Sequence, residues 1–238
     1  VMVGRSSGAG SVTAYNYMDM AFDSGAASWQ EAGLNNSHMV GSHHMLFEGN
    51  YAFNIDSDQT HGNAIYNTFF RNHTTGFRAK FKDYLNGTVV DDIRQQSVNG
   101  PLRAASAHAY SYWNAFVGNV FGVPRRMKGF IYGDEALGSG DWPAQILMMG
   151  WDDQPGQVYD PNVIANNLVD GNYDYKTNSV IWAPSDTKHK LPKSLFLNHA
   201  PAFFDGYAWP WVDSAGATKL ATLPAKARYD AGQPFAQR

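Results

Sequence analysis

The sequence predicts an all-β chain folded as a right-handed parallel β-helix, in which short strands stack in repeated turns and long loops are inserted between them. The first observation is composition: of 238 residues only 16% are charged, whereas glycine and aromatic residues are abundant. Such a composition favours turn-rich β structure over helices. The second is a recurring unit closed by asparagine, and the third is a proline-rich, aromatic tail without that unit. Together they predict a repetitive body and a C-terminal cap.

The recurring unit is an apolar or aromatic strand followed by Phe, one or two further residues and Asn. Its clearest copies are HMLFEGNYAFN (44–54), YNTFFRNHTTG (66–76) and YWNAFVGNVFG (112–122). Asn50 and Asn72 lie 22 residues apart, and Asn119 and Asn166 follow at intervals of 47. We expect these asparagines to adopt the left-handed conformation of tight turns and to form an amide ladder. The longer intervals indicate inserted loops.

The chain divides into a body of residues 1–190 and a capping segment of residues 191–238. Within the body, short helices are expected at 26–33 and 89–97, and a strand at 77–82. Proline recurs through the tail and forbids regular strand ladders there. We expect the aromatic residues of this region to cover an otherwise open apolar end of the body: Trp182, Phe203, Phe204, Trp209 and Trp211.

Composition also excludes several functions. The chain has no cysteine, so disulfides, thiolate catalysis and cysteine-based metal sites are excluded. A net charge of −3 provides no global attraction to nucleic acid. No apolar run approaches the roughly 18 residues of a membrane helix. Because no signal peptide is visible and Val1 already opens a β-like region, we expect a processed product or the C-terminal portion of a longer protein.

One family resemblance rests on the units FEGN, FFRN and FVGN, the run SDQTHGNAIYNTFFRN and the tail GNYDYKTNSVIW…LPKSLFL…PAFF…WPWVD…LPAKARYD. These segments resemble bacterial extracellular right-handed β-helix proteins of the pectate-lyase-like superfamily, from about Ser11 to the end of the chain. The resemblance implies a secreted or cell-surface protein that binds, and as a lyase cleaves, an acidic polysaccharide. The implied partners are the polysaccharide, the preceding part of the same protein and further copies of the chain.

A polysaccharide lyase needs a base near the α-carbon of a uronate and a cation such as Ca²⁺ to neutralise the carboxylate. The densest basic group in the sequence contains Arg71, Arg78 and Lys80, and His61 precedes it. We expect these four residues to be catalytic, with residues 78 and 80 on one side of the predicted strand. The alternative is an edge strand that is protected from association by its charges.

A second predicted group contains His43, His44, Asp56 and Asp58, which we expect to contact substrate. The two aspartates, with residues 91–92, are also the acidic partners available to Ca²⁺. The spacing of these residues matches no compact metal-ligand pattern, so we assign no metal site. The alternative is that they cap turns and fill ladder positions.

Two further function classes remain open. A glycoside hydrolase needs paired carboxylates, and NID, DD, THGN and RAK resemble polygalacturonase motifs but stand in a different order. A non-enzymatic structural or adhesive module is favoured by the repetitive scaffold and by the incomplete catalytic motifs. Formation of an unsaturated product from an acidic polysaccharide would distinguish a lyase from both.

Overall fold

The structure is a computed structural model that describes residues 9–18, 33–36, 41–59, 62–76, 81–82, 89–90, 103–125, 145–151 and 159–232. Within these ranges short parallel strands dominate and helices are few, as the composition predicted. No described helix is long and apolar enough to cross a membrane.

The strands, numbered in chain order, form three large sheets. Sheet I contains β1 (Val12–Ala14), β3 (Leu46–Glu48), β6 (Thr68–Phe70), β11 (Ala115–Val117) and β14 (Leu168–Asp170). Sheet II contains β2 (Leu34–Asn35), β5 (Ile55–Ser57), β10 (Arg103–His108) and β13 (Gln145–Trp151). Sheet III contains β4 (Tyr51–Ala52), β7 (His73–Thr74), β12 (Val120–Phe121), β15 (Asn172–Asp174) and β16 (Ser179–Ile181). A separate antiparallel pair is formed by β8 (Phe81–Lys82) and β9 (Val89–Val90).

Neighbouring strands in the three large sheets are parallel, except that β16 runs antiparallel to β15. In each sheet the strand order follows the chain order, so each passage of the chain adds one layer. We number these layers 1 (β1, β2), 2 (β3–β5), 3 (β6, β7, β10), 4 (β11–β13) and 5 (β14, β15). This arrangement is compatible with the predicted β-helix.

Stacked side chains from successive layers form the core. Phe47, Phe69 and Phe116 occupy one register position of sheet I. Their rings stack with centroids 5.0 and 5.1 Å apart and interplanar angles of 17° and 18°. Ile55 and Leu147 bury the inward face of sheet II against the same cluster. Since the same strand position is apolar in each layer, the alternation of the sequence sets which face points inward.

The turn between sheets I and III carries the predicted asparagine ladder. We call this turn corner A; it comprises residues 15–16, 49–50, 71–72, 118–119 and 171–172. Side-chain amides donate from each layer to the next, with N–O distances of 2.9–3.0 Å, through Asn16, Asn50, Asn72, Asn119 and Asn172. The prediction of Asn166 as the last member was wrong. The fifth layer reaches corner A at Asn172, because its inserted loop is six residues longer than the earlier interval implied.

The left-handed conformation at corner A belongs to the residue before each asparagine, not to the asparagine as predicted. These residues have φ angles of 51–66°: Tyr15, Gly49, Arg71, Gly118 and Gly171. The asparagine is therefore free to extend its amide along the stack, while its neighbour makes the turn.

Three short helices were not predicted: α1 (Asn162–Ala165), a 3₁₀ helix (Ala202–Phe204) and α2 (Pro224–Asp230). Residues 26–32, predicted as helix, lie outside the described residues, as do 91–97. In the second predicted helix, Val89–Val90 forms a strand instead. Of the predicted strand at 77–82, only Phe81–Lys82 is described, and it is a strand.

The tail packs along the side of the layers. A second apolar cluster joins Val120 on the outward side of sheet III to tail residues Phe204, Trp211 and Leu223. Contacts of residues 183–196 then follow corner A from layer 5 to layer 1. The Ala183 N–H bonds the Asp170 carboxylate, the Leu195 N–H bonds that of Glu48, and Phe196 contacts Tyr15. The division of the chain at residue 191 stays a prediction.

Candidate binding surface and buried ion cluster

The turn that leads into sheet I carries a second asparagine ladder and a row of aromatic rings. We call this turn corner B; it comprises residues 10–11, 44–45, 66–67, 113–114 and 166–167. The ladder runs through Asn67, Asn114 and Asn167, each accepting a backbone N–H from the preceding layer. Asn67, Asn114 and, at the equivalent position of layer 2, Met45 are preceded by Tyr66, Trp113 and His44, which we call the aromatic row.

The rings of the aromatic row stack in parallel planes and are open to solvent. The His44 and Tyr66 rings stack at 5.5 Å and 15°, and those of Tyr66 and Trp113 stack at 5.2 Å and 13°. Tyr66 and Trp113 keep 46% and 49% of their surface exposed. Stacking between rings therefore uses only part of each surface, and the rest is available to a ligand.

All three residues of the row have positive φ angles, 53° for His44, 56° for Tyr66 and 58° for Trp113. A non-glycine residue in this conformation costs of order 1–3 kcal/mol. Glycine or asparagine would make the same turn at lower cost. The turn thus carries large rings at positions where the backbone alone would favour glycine.

A pocket of about 360 Å³ adjoins one end of the row, lined by Gly41, Ser42, His43, His44, Asn63, Ile65 and Tyr66. This volume is within the range of about 300–1,000 Å³ that small-ligand sites occupy. The predicted pair His43 and His44 is brought together here, with ring centroids 5.2 Å apart. His43 Nδ1 lies 2.7 Å from the Gly41 carbonyl oxygen, which fixes the ring orientation.

Asp56 lies elsewhere, in a buried ion cluster on sheet II that extends through layers 2–4. Its carboxylate accepts from Arg103 Nη2 at 2.5 Å and lies 3.1 Å from His108 Nε2. The Ser106 hydroxyl also donates to it, and the Arg103 guanidinium lies 4.4 Å over the Trp151 ring. Burial alone would raise the pKa of Asp56, but the charges of Arg103 and His108 hold it well below its usual range.

A carboxylate with such a low pKa is a poor general base, and its oxygens already accept several hydrogen bonds. The cluster therefore links strand β5 to strand β10. The role of Asp56 as a substrate contact stays a prediction. Asp58 follows two residues later and is also buried, and its carboxylate accepts a hydrogen bond from Asn35 Nδ2 at 2.5 Å.

Arg71 is separated from both groups by its contacts with the tail. Its guanidinium donates to the carbonyl oxygens of Leu191, Pro192 and Val212 at 3.3, 2.8 and 2.8 Å, and it pairs with Asp213 at 3.3 Å. Only 5% of its surface is exposed, so in this arrangement it holds the tail on corner A. Its catalytic role stays a prediction.

The other predicted catalytic residues, His61, Arg78 and Lys80, lie outside the described residues. In the part of the chain that is described, no group of three or more His, Asp or Glu side chains could hold a metal ion. Residues 91 and 92, which were predicted as further acidic partners of Ca²⁺, also lie outside the described residues.

Sequence reasoning did not identify the aromatic row or its ladder. The sequence does contain the repeat. Asn67 and Asn114 each follow an aromatic residue, and they lie 47 residues apart, as Asn72 and Asn119 do. The unit was defined by its closing asparagine, so the asparagine that opens it was overlooked.

Comparison with protein-family models gave no match to the chain, and none of the curated proteins or solved structures compared with it matches either. The function must accordingly be argued from the geometry of this chain.

Proposed function

We propose that the chain is a right-handed parallel β-helix of the pectate-lyase-like kind, acting outside the cell or on its surface, and that it binds an extended acidic polysaccharide along corner B. The parallel sheets and their layered order support the fold. The polymer would lie along the stack of layers, across the aromatic row, with one sugar unit in the pocket beside His43. The acidic character rests on these histidines and on Arg78 and Lys80 of the sequence.

One observation carries the proposal: three exposed, parallel rings recur in successive layers at a turn position that favours glycine. Neither core packing nor backbone geometry requires rings there, since they are exposed and their conformation is costly. Because the rings stack on one another, a sugar chain would lie across their exposed edges, where the apolar C–H groups of the rings meet those of the sugar. A row along the stack matches an extended polymer better than a compact ligand.

Tyr66→Ala and Trp113→Ala test this proposal. Each lost ring is expected to weaken binding of the recognised polysaccharide by about 1 kcal/mol, or roughly fivefold in Kd. Affinity electrophoresis through gels containing pectate, alginate or a glycosaminoglycan measures the change. Tyr229→Ala removes a ring of similar exposure from α2 and serves as the matched control.

Retardation of the wild-type chain by none of these polymers, or equal retardation of all variants, would contradict the proposal and favour the structural or adhesive module. Cleavage is measured separately, by the ultraviolet absorbance of the unsaturated product with and without Ca²⁺. If the wild type forms product, Arg78→Ala and Lys80→Ala are expected to abolish it.

A further inference from the structure

The tail presents large apolar side chains to solvent at the layer 1 end of corner A. Leu195, Phe196 and Phe203 keep 49%, 41% and 57% of their surface exposed. We call these three residues and Lys193 the tail patch. Isolated apolar residues on a surface need no explanation, but adjacent ones of this size indicate an interaction site.

Buried residues at and next to corner A hold the tail patch in place. The Phe196 and Phe203 rings contact the Tyr15 ring at 6.2 and 5.8 Å between centroids. Tyr15 is buried and donates its hydroxyl hydrogen to Glu48 at 2.9 Å, while the Leu195 N–H bonds the same carboxylate at 2.8 Å. The patch is therefore preorganised, and a partner would not have to order it.

The positive charge of Lys193 adjoins the apolar side chains, and further lysines lie toward layers 4 and 5. Lys193 Nζ lies 6.0 Å from the Trp209 ring, and Trp209 Nε1 donates to the Tyr15 hydroxyl at 3.0 Å. Lys188 and Lys190 are exposed on the segment that leads into the patch. Ion pairs among the described residues engage Arg71, Arg103, His108 and Lys226, and none of them joins these three lysines to a described carboxylate, although Asp186 and Asp205 lie nearby in the chain.

We propose that the tail patch attaches the protein peripherally to an anionic lipid surface. Exposed Leu and Phe side chains insert at the boundary between headgroups and acyl chains, and nearby lysines are attracted by anionic headgroups. The charge complementarity favours this partner over a second copy of the chain, because a symmetric contact would bring two Lys193 side chains together. Leu195 offers no flat ring for a sugar, and the patch is distinct from corner B.

Co-sedimentation of the full chain with vesicles tests the proposal. Vesicles of equal parts phosphatidylcholine and phosphatidylglycerol are compared with vesicles of phosphatidylcholine alone. We expect binding to the anionic vesicles that is weakened about fivefold by Lys193→Gln and about tenfold or more by Phe203→Ser. Lys176→Gln and Tyr229→Ser, at exposed sites on the β15–β16 turn and α2, are the matched controls and are expected to bind as wild type does.

Far-ultraviolet circular dichroism and the urea midpoint establish that each variant is folded. Wild-type binding to neither vesicle overturns the proposal, and so does binding that Phe203→Ser leaves unchanged. Binding of soluble dextran sulfate that depends on Lys193 but not on Phe203 would show a polyanion site instead. Concentration-dependent dimerisation lost in Phe203→Ser, without vesicle binding, would show a self-association surface.

Discussion

Corners A and B flank the same three-residue strands of sheet I and use the same backbone device, a left-handed residue that is followed by a laddered asparagine throughout corner A and in layers 3 and 4 of corner B. At corner A the left-handed position is glycine in layers 2, 4 and 5, and the tail covers it. At corner B the same position is aromatic in layers 2, 3 and 4 and remains exposed. The turn therefore does not dictate its residue; what packs over the turn does.

The glycines of corner A are explained by close approach. A Cβ on Gly49 would lie 2.5 Å from the Tyr15 ring, and one on Gly171 would lie 2.6 Å from the Trp182 ring. Nothing comparable explains the rings of corner B. The rings of corner B stack on one another but keep much of their surface exposed. A costly backbone conformation that leaves a side chain exposed is better evidence for binding than a buried charge that is hydrogen-bonded.

The largest expected difference between the corners is the effect of substitution on the free energy of unfolding in layer 3, where Arg71 and Tyr66 occupy equivalent left-handed positions. Arg71→Met leaves the buried carbonyl oxygens of the tail without their donor, and we expect a loss of about 3–5 kcal/mol in the free energy of unfolding. Tyr66→Met removes an exposed ring and should change it by less than about 1 kcal/mol. Urea unfolding followed by tryptophan fluorescence measures both.

Equal losses for these two variants would mean that the tail does not stabilise corner A. In that case Arg71 would again be available for the catalytic role predicted from the sequence.

Sequence patterns predicted the parts of this molecule that repeat with constant chemistry. The ladder from Asn50 to Asn119 was predicted correctly because buried amides have no substitute that donates and accepts along the stack. Asn166 was chosen wrongly because an interval of 47 residues reflects loop lengths, which no packing rule fixes. Corner B varies from His to Tyr to Trp, so its repeat is one of shape, and a search for identical residues does not find it.

The buried ion cluster was harder to predict for a different reason. Asp56 was predicted to contact substrate, but its observed partners Arg103 and His108 lie 47 and 52 residues away in the chain. They meet Asp56 only because β10 pairs with β5 across an inserted segment. Sequence proximity therefore grouped Asp56 with His43 and His44, which the structure places at a different site.

Lowering the pH should lower the free energy of unfolding through His73, which follows the corner A ladder residue Asn72. Its ring is buried against Tyr51 and Trp211, and burial lowers its pKa to about 4, from about 6.5 in the unfolded chain. Between these values the unfolded state binds a proton that the folded state does not, so stability falls as pH falls. From about pH 7 to about pH 5 the loss should be about 2 kcal/mol.

Urea unfolding at the two pH values measures this loss, and His73→Gln should remove most of it. Asp56 does not interfere, because a carboxylate with a depressed pKa loses its stabilising effect only below its unfolded pKa of about 3.9. The same pH dependence in His73→Gln would assign the loss to other groups. His44→Gln is the matched control at exposed corner B.

The smallest effect gives the sharpest comparison, because it separates backbone strain from tail contact within layer 4. Gly118 at corner A and Trp113 at corner B have φ angles of 66° and 58°. At both positions alanine should be less stable than glycine by about 1 kcal/mol from backbone strain alone. At position 118 the new Cβ would also lie 2.8 Å from Leu191 Cδ1, so the difference there should be larger. Adding Leu191→Ala should reduce the excess at 118 and leave the difference at 113 unchanged, as measured by urea unfolding. Suppose that, with Leu191 intact, alanine and glycine differ in the free energy of unfolding by the same amount at positions 118 and 113. Close approach of the tail then does not explain the glycine at corner A, and the contrast between the corners would come only from what corner B binds.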